Sequence, residues 1–250
     1  MGQLPGVASL DRRILRARYH TRTALSAHSG VFLPFVRYRH GRGDPRVVRP
    51  GSELVIDGFQ RSANTFAVVA FELAQPRPVV VAHHVHAAAQ IHEAVKLHVP
   101  TILLIRTPDA CTLSNLIRKP HLTPKLILTS WIRFYESLLP IRDRVVLGGF
   151  EAVTAEYGTV IRQVNRAFGT DFQEFEHTDA NVARCFELID RGNRERNGSV
   201  LESTVARPSQ GRERTKEILR GELEAPSLSG LRASALAVYR AWTASDDTAP

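Results

Sequence analysis

Glu53-Leu54-Val55-Ile56-Asp57-Gly58-Phe59-Gln60-Arg61-Ser62-Ala63-Asn64-Thr65-Phe66 is the stretch that decides how this chain is read. An apolar run ends at Asp57, a short polar segment follows, and a helical pattern runs from Thr65 to Leu73. That layout predicts a strand, a tight loop and a helix N-terminus. Such a loop aims several backbone N–H groups at one point, and the helix dipole adds positive potential there. The expected occupant is a phosphate or a sulfate group.

Against the phosphate-loop pattern G-x-x-x-x-G-K-S/T, Gly58 takes the first glycine, Ala63 the second and Thr65 the hydroxyl position. Asn64 stands where nucleotide triphosphatases carry lysine, and the cation has moved inside the loop to Arg61. A lysine on the β- and γ-phosphates is central to ATP chemistry, so its absence argues against ordinary ATP or GTP hydrolysis.

Working outward, the chain alternates short β-branched runs with helical patterns. Strand 53–57 leads to helix 64–75, a strand at 78–82, helix 87–97, strand 101–105 and a helix from Asp109. A long helix is expected from Thr123 to Leu138, capped by Thr123 with Pro124 at its first position. A further strand is expected at 144–147 and a helix from Tyr157 to Phe168, stopped by Gly169. Helices are also expected near 179–191, 211–222 and 227–243. This is the pattern of an α/β fold with a central parallel sheet flanked by helices. One domain over 1–250 is expected, with 53–170 as its core. Residues 1–52 read as an N-terminal basic helix (8–27) and a Gly/Pro-punctuated loop (28–52), and 171–250 as helices with a mobile loop near 192–211.

In a parallel α/β sheet, ligands bind at the carboxyl ends of the strands. Arg61, the His83-His84-Val85-His86 run and Arg106 all fall there. A histidine titrates near neutral pH and suits a general base. On an extended chain His84 and His86 share a face and His83 points away. A metal reading of His84 and His86 has no third ligand nearby in sequence.

The loop from Gly58 to Phe66 resembles the 5′-phosphosulfate loop of the sulfotransferases that use 3′-phosphoadenosine-5′-phosphosulfate (PAPS), and so implies a P-loop-like nucleotide-binding fold. Forty-five residues after Arg61, the strand ending in Arg106-Thr107-Pro108-Asp109, with Ser114 eight residues beyond Arg106, resembles that family's 3′-phosphate motif. The resemblance implies PAPS as co-substrate, adenosine 3′,5′-bisphosphate as product, no metal, and in-line sulfuryl transfer to a small-molecule or carbohydrate hydroxyl or amine. It implies Arg61, Ser62, Ala63, Asn64, Thr65 and Phe66 around the phosphosulfate, with Arg61 also stabilising the leaving group, and Arg106 and Ser114 on the 3′-phosphate. His84 lies where the family's base follows a short strand, with Ala82 in place of the usual lysine; His86 and His83 compete for that role. Arg207 matches the family's C-terminal phosphate-contacting loop. Ala63 for glycine is a departure that limits how closely a cofactor approaches. Asp109 is expected to cap its helix, Trp131 to pack in the core, and His92, His98 and His121 to be ordinary surface residues.

A net charge of +8 points to an anionic partner. The charge is mostly arginine spread along the chain without a block of like charges, so nucleic acid is not specifically indicated. Two patternless cysteines, Cys111 and Cys185, no membrane-length apolar run and no signal-peptide core suggest a cytoplasmic protein. The competing readings are a small-molecule kinase on a degenerate phosphate loop and a non-catalytic polyanion-binding protein.

Overall fold

The structure, a computed structural model, describes residues 9–41, 43–197 and 210–244. Four parallel strands form one sheet: β1 (Leu54–Gly58), β2 (Val81–His83), β3 (Thr101–Ile105) and β4 (Val146–Gly149), in the order β2-β1-β3-β4. β1 pairs Leu54 with Val81 on one side and Val55 with Thr101 on the other. β1 and β3 are buried at every position, as a sheet covered on both faces requires.

Around the sheet run α1 (Ser9–Leu25), α2 (Ser29–His40), α3 (Asn64–Ala74), α4 (Ala88–Lys96), α5 (Pro108–Arg118) and α6 (Pro124–Glu136). They are followed by α7 (Phe150–Ala155), α8 (Tyr157–Phe168), α9 (Asp179–Asn197), α10 (Gln210–Leu223) and α11 (Ser229–Thr243). Side chains alternate across the strands into two cores. Val55, Leu103 and Ile105 pack with residues of α4, α5, α6 and α11, among them Ile91, Leu116, Trp131 and Trp242. Leu54, Ile56, Ile102 and Leu104 pack on the opposite face with Phe66, Phe71, Tyr157 and Val160 of α3 and α8. Trp131 is a core residue, as expected from its helix position.

Two of the expected caps are present. The Leu126 N–H donates to Thr123 Oγ1 at 3.3 Å at the start of α6, and Gly169 ends α8 at φ 66. Three expectations need correction. Residues 28–52 are not all loop: α2 forms through Pro34 because Phe32, Leu33 and Val36 bury against Val85, Ala87 and Ala89. That tertiary packing outweighs the one hydrogen bond that proline removes. Of the loop expected near 192–211, the ends are helical, up to Asn197 and again from Gln210, and 198–209 lie outside the described residues. Asp109 makes no cap; it forms an ion pair with Arg232 of α11 at 2.6 Å.

Candidate functional site

From β1 the chain passes to β2 on one side and then crosses to β3 on the other, so the carboxyl ends of β1 and β3 form the switch point where α/β sheets hold ligands. The loop after β1 approaches the sheet very closely. A Cβ on Gly58 would lie 2.2 Å from the Leu104 carbonyl oxygen, so only glycine fits there. Beyond it, Arg61 (φ 73) and Ala63 (φ 65) both adopt the left-handed conformation. These two reversals curl the chain into the N-terminus of α3, whose first-turn N–H groups have no intrahelical acceptor. At Ala63 a non-glycine residue bears a left-handed strain of about 1–2 kcal/mol.

Polar contacts fix the loop from below. Asn64 Nδ2 donates to the Phe59 carbonyl at 3.0 Å, so this amide braces the loop. The resemblance had given that amide to the cofactor; in the folded chain one of its hydrogens is already engaged. Cys111 Sγ and Asn115 Nδ2, both on α5, donate to the Gln60 carbonyl at 2.9 and 3.2 Å. Burial pushes the Cys111 thiol up to about 12, so it stays protonated. The Tyr135 hydroxyl donates to the Leu104 carbonyl at 2.7 Å and receives the Phe59 N–H at 3.3 Å. Its own ionisation is raised by complete burial.

The two arginines meet. Arg61 Nε donates to Ser114 Oγ at 2.9 Å, and Arg106 Nη1 donates to the Arg61 carbonyl at 3.3 Å. The Arg106 guanidinium stacks on the Phe150 ring, 3.8 Å from its centroid, which holds its plane. Lys119 adds a third cation: its Nζ donates to Gln60 Oε1 at 2.5 Å. Burial, then the charges of Arg22, Arg118 and Arg61, pushes the Lys119 ammonium down to about 8. Ser62 is fully buried with its Oγ 3.5 Å from the Tyr135 hydroxyl, and Phe66 packs edge-on against Phe175 in the core.

The histidines also gather here, though not as an extended strand would arrange them. His84 (φ 59) and His86 (φ 52) are left-handed, which folds the rings of His83, His84 and His86 into one cluster. His83 Nδ1 and His84 Nδ1 lie 2.6 Å apart, and His84 Nε2 lies 3.2 Å from Thr65 Oγ1. Burial is the largest influence on His83 and lowers its pKa, which favours its neutral form. His86 Nδ1 faces the Gly58 carbonyl at 2.9 Å and Asp57 Oδ1 at 3.2 Å.

Asp57 organises this turn, a role that periodicity alone does not reveal. Its fully buried carboxylate accepts the N–H groups of Gly58 (2.9 Å), Val85 (2.9 Å) and His86 (3.0 Å). Complete burial would raise its pKa, but the contacts from His86 and the Gly58 N–H outweigh it and hold the carboxyl below its ordinary value. Asp57, Tyr135, Lys119 and Phe150 are thus parts of the site that motif reading missed; only Lys119, one turn beyond Asn115 on α5, carried a sequence signal that could have been followed.

Arg207 lies outside the described residues. Among the described residues, no group of three or more His, Cys, Asp or Glu is placed to hold a metal ion, and no helix is long and apolar enough to cross a membrane. A depression of about 440 Å³, lined by Pro50, Glu53, Arg77, Pro100 and Phe172, lies at the opposite, amino-terminal rim of the sheet.

No protein-family model matches the chain, and no curated protein matches it. Among solved structures, the chain is similar to the crystal structure of mouse sulfotransferase SULT7A1 complexed with PAP. The TM-score is 0.40 at 12% identity, over 78% of this chain and 92% of that chain.

Proposed function

We propose that the protein is a sulfotransferase that moves a sulfuryl group from PAPS to a hydroxyl or amine acceptor. The observation that carries this reading is the junction of its two motifs. Arg61, Ser114 and Arg106 come from segments far apart in sequence, yet they are linked by contacts of 2.9 and 3.3 Å. The donor set suits the co-substrate: two guanidiniums, a serine hydroxyl and the N–H groups at the start of α3 all offer hydrogens to anionic oxygens. PAPS would supply an activated sulfuryl group on a phosphate leaving group.

In this reading Arg61 and the α3 N-terminus hold the 5′ end, with the Thr65 hydroxyl beside them, and Arg106 and Ser114 hold the 3′-phosphate. His84 takes the acceptor's proton. When its Nδ1–H donates to His83, its Nε2 keeps a lone pair directed towards Thr65, at the start of α3. Orienting a base by a hydrogen bond to its other ring nitrogen is the same logic that serves other catalytic histidines. The reacting bonds balance simply: the acceptor oxygen or nitrogen bonds to sulfur, the bond from sulfur to the bridging phosphate oxygen breaks, and the proton resides on His84. Arg61 would offset the negative charge that develops on the leaving phosphate.

A thermal-shift comparison tests the reading. Adenosine 3′,5′-bisphosphate should raise the melting temperature without Mg²⁺ and more than ADP or ATP does; at a hundredfold excess over Kd the stabilisation is about 2.7 kcal/mol. A larger, Mg²⁺-dependent shift with ATP would instead favour a kinase. Equal, salt-sensitive shifts with any polyanion would leave only a basic binding protein.

A further inference from the structure

Although arginines are scattered along the whole chain, their excess over acidic residues is confined to its first 49 positions. The first 49 residues contain ten arginines against Asp11 and Asp44, an excess equal to the whole net charge of +8. The remainder of the chain is balanced. Within this basic segment, α2 is apolar on two sides. Phe32, Leu33 and Val36 face the core, whereas Val31, Phe35 and Tyr38, at helical spacing, face outward with relative exposures of 61%, 56% and 87%. Arg39 is exposed next to that stripe, and α2 carries no acidic residue. Arg12, Arg13 and Arg18 are exposed on α1.

We infer that α2 docks on an anionic lipid bilayer, with Val31, Phe35 and Tyr38 entering the headgroup region and the arginines of the first 49 residues facing the lipid charge. An aromatic and aliphatic stripe beside arginines is the composition of an interfacial helix, where a valine and a phenylalanine gain from leaving water and a tyrosine keeps its hydroxyl in the headgroups. A soluble acidic polymer would use the arginines but would leave the stripe in water, which is why a bilayer is the better fit. The inner face of α2 packs on Val85, between His84 and His86. Docking would therefore hold the histidine turn within about one helix diameter of the lipid, ~10 Å.

Cosedimentation of the full chain with vesicles tests this without any nucleotide, so the outcome is independent of the sulfotransferase reading. Vesicles of phosphatidylcholine with phosphatidylserine should pellet the protein, and phosphatidylcholine alone should not. Phe35→Ser should weaken binding roughly tenfold through lost apolar burial. Arg39→Ser should weaken it roughly fivefold, the effect of one cation at an anionic surface. Both side chains point out of the core, and an unchanged melting temperature for each variant checks that the fold is intact. The inference is overturned if binding ignores phosphatidylserine, or if Phe35→Ser binds like the parent. It is also overturned if heparin binds with the same affinity as the vesicles and Phe35→Ser leaves both unchanged, which would indicate a polyanion site. A dimer in sedimentation equilibrium that Phe35→Ser dissolves would assign the stripe to a second copy and overturn it too.

Discussion

Asp57 Oδ2 accepts the backbone N–H of His86 at 3.0 Å, and this contact ties the direction of the histidine turn to the end of the central strand. The same carboxylate takes the N–H of Val85 and, through Oδ1, that of Gly58. One buried side chain therefore sets both the phosphate-type loop and the turn that carries the candidate base. Replacing Asp57 with alanine leaves these N–H groups without an acceptor, at about 1–3 kcal/mol each. We expect Asp57→Ala to lose at least 3 kcal/mol of stability on that basis in urea unfolding; a loss under 1 kcal/mol would mean that the turn holds itself.

Asp57 also predicts an acid sensitivity. Folding lowers its pKa below the ordinary 3.8, so its contribution is complete above that value and is lost as pH falls through the lower folded value. Unfolding midpoints measured from pH 5 downward should fall more steeply for the parent than for Asp57→Asn. Parallel curves would remove Asp57 as a source of acid lability.

Lys119 behaves in the opposite direction. Its folded pKa of about 8 lies below the ordinary 10.5, so the unfolded chain binds the extra proton between those values and stability rises with pH across that window. Lys119→Met should therefore be more stable than the parent at pH 7, on the order of 1–2 kcal/mol. The advantage should shrink by pH 10. A variant less stable at pH 7 would show that the bond to Gln60 outweighs the cost of burying the ammonium.

Arg106→Ala should lose 10- to 100-fold in affinity for adenosine 3′,5′-bisphosphate by calorimetry, since a charge-assisted contact of about 1.5–3 kcal/mol disappears. Arg106→Lys should recover little of it, because a lysine keeps the charge but has neither the fork nor the planar stacking on Phe150. Unchanged affinity in Arg106→Ala would take that arginine out of the nucleotide site.

For the base, His84→Ala should lower turnover by about 10²- to 10⁴-fold while nucleotide affinity is retained. His86→Ala should instead lower the melting temperature, as its ring abuts Asp57 and the Gly58 carbonyl. Full activity in His84→Ala together with none in a folded His86→Ala would reverse the assignment.

The sheet and its loop were legible because their signals are local: an apolar run, a glycine and a helix start in immediate succession. The boundary of β2 was less so, since pairing with β1 covers Val81 to His83, starting three residues and ending one residue later than the apolar run suggests. The whole of α2 was hidden by Gly30 and Pro34, which read as loop residues; only the patch formed by Val85, Ala87 and Ala89, more than forty residues away in sequence, makes a helix there worthwhile. The residue types of the histidine turn were visible, but its left-handed geometry was not. No strand pattern encodes two positive φ angles imposed by a distant carboxylate. Asp57 itself looked like any residue closing a strand, because its partners lie almost thirty positions away.

Tyr135 joins the loop to the far helices: its hydroxyl takes the Phe59 N–H, while its backbone carbonyl accepts Trp242 Nε1–H at 3.0 Å. Its ring lies 4.5 Å from that of Trp131 and 6.5 Å from that of Trp242. These are the chain's two tryptophans, so both of its indole fluorophores sit against a single side chain that touches the phosphate-type loop. Any ligand that shifts Phe59 or Ser62 should change their emission, and the unlabelled protein thereby carries an optical gauge of its own loop.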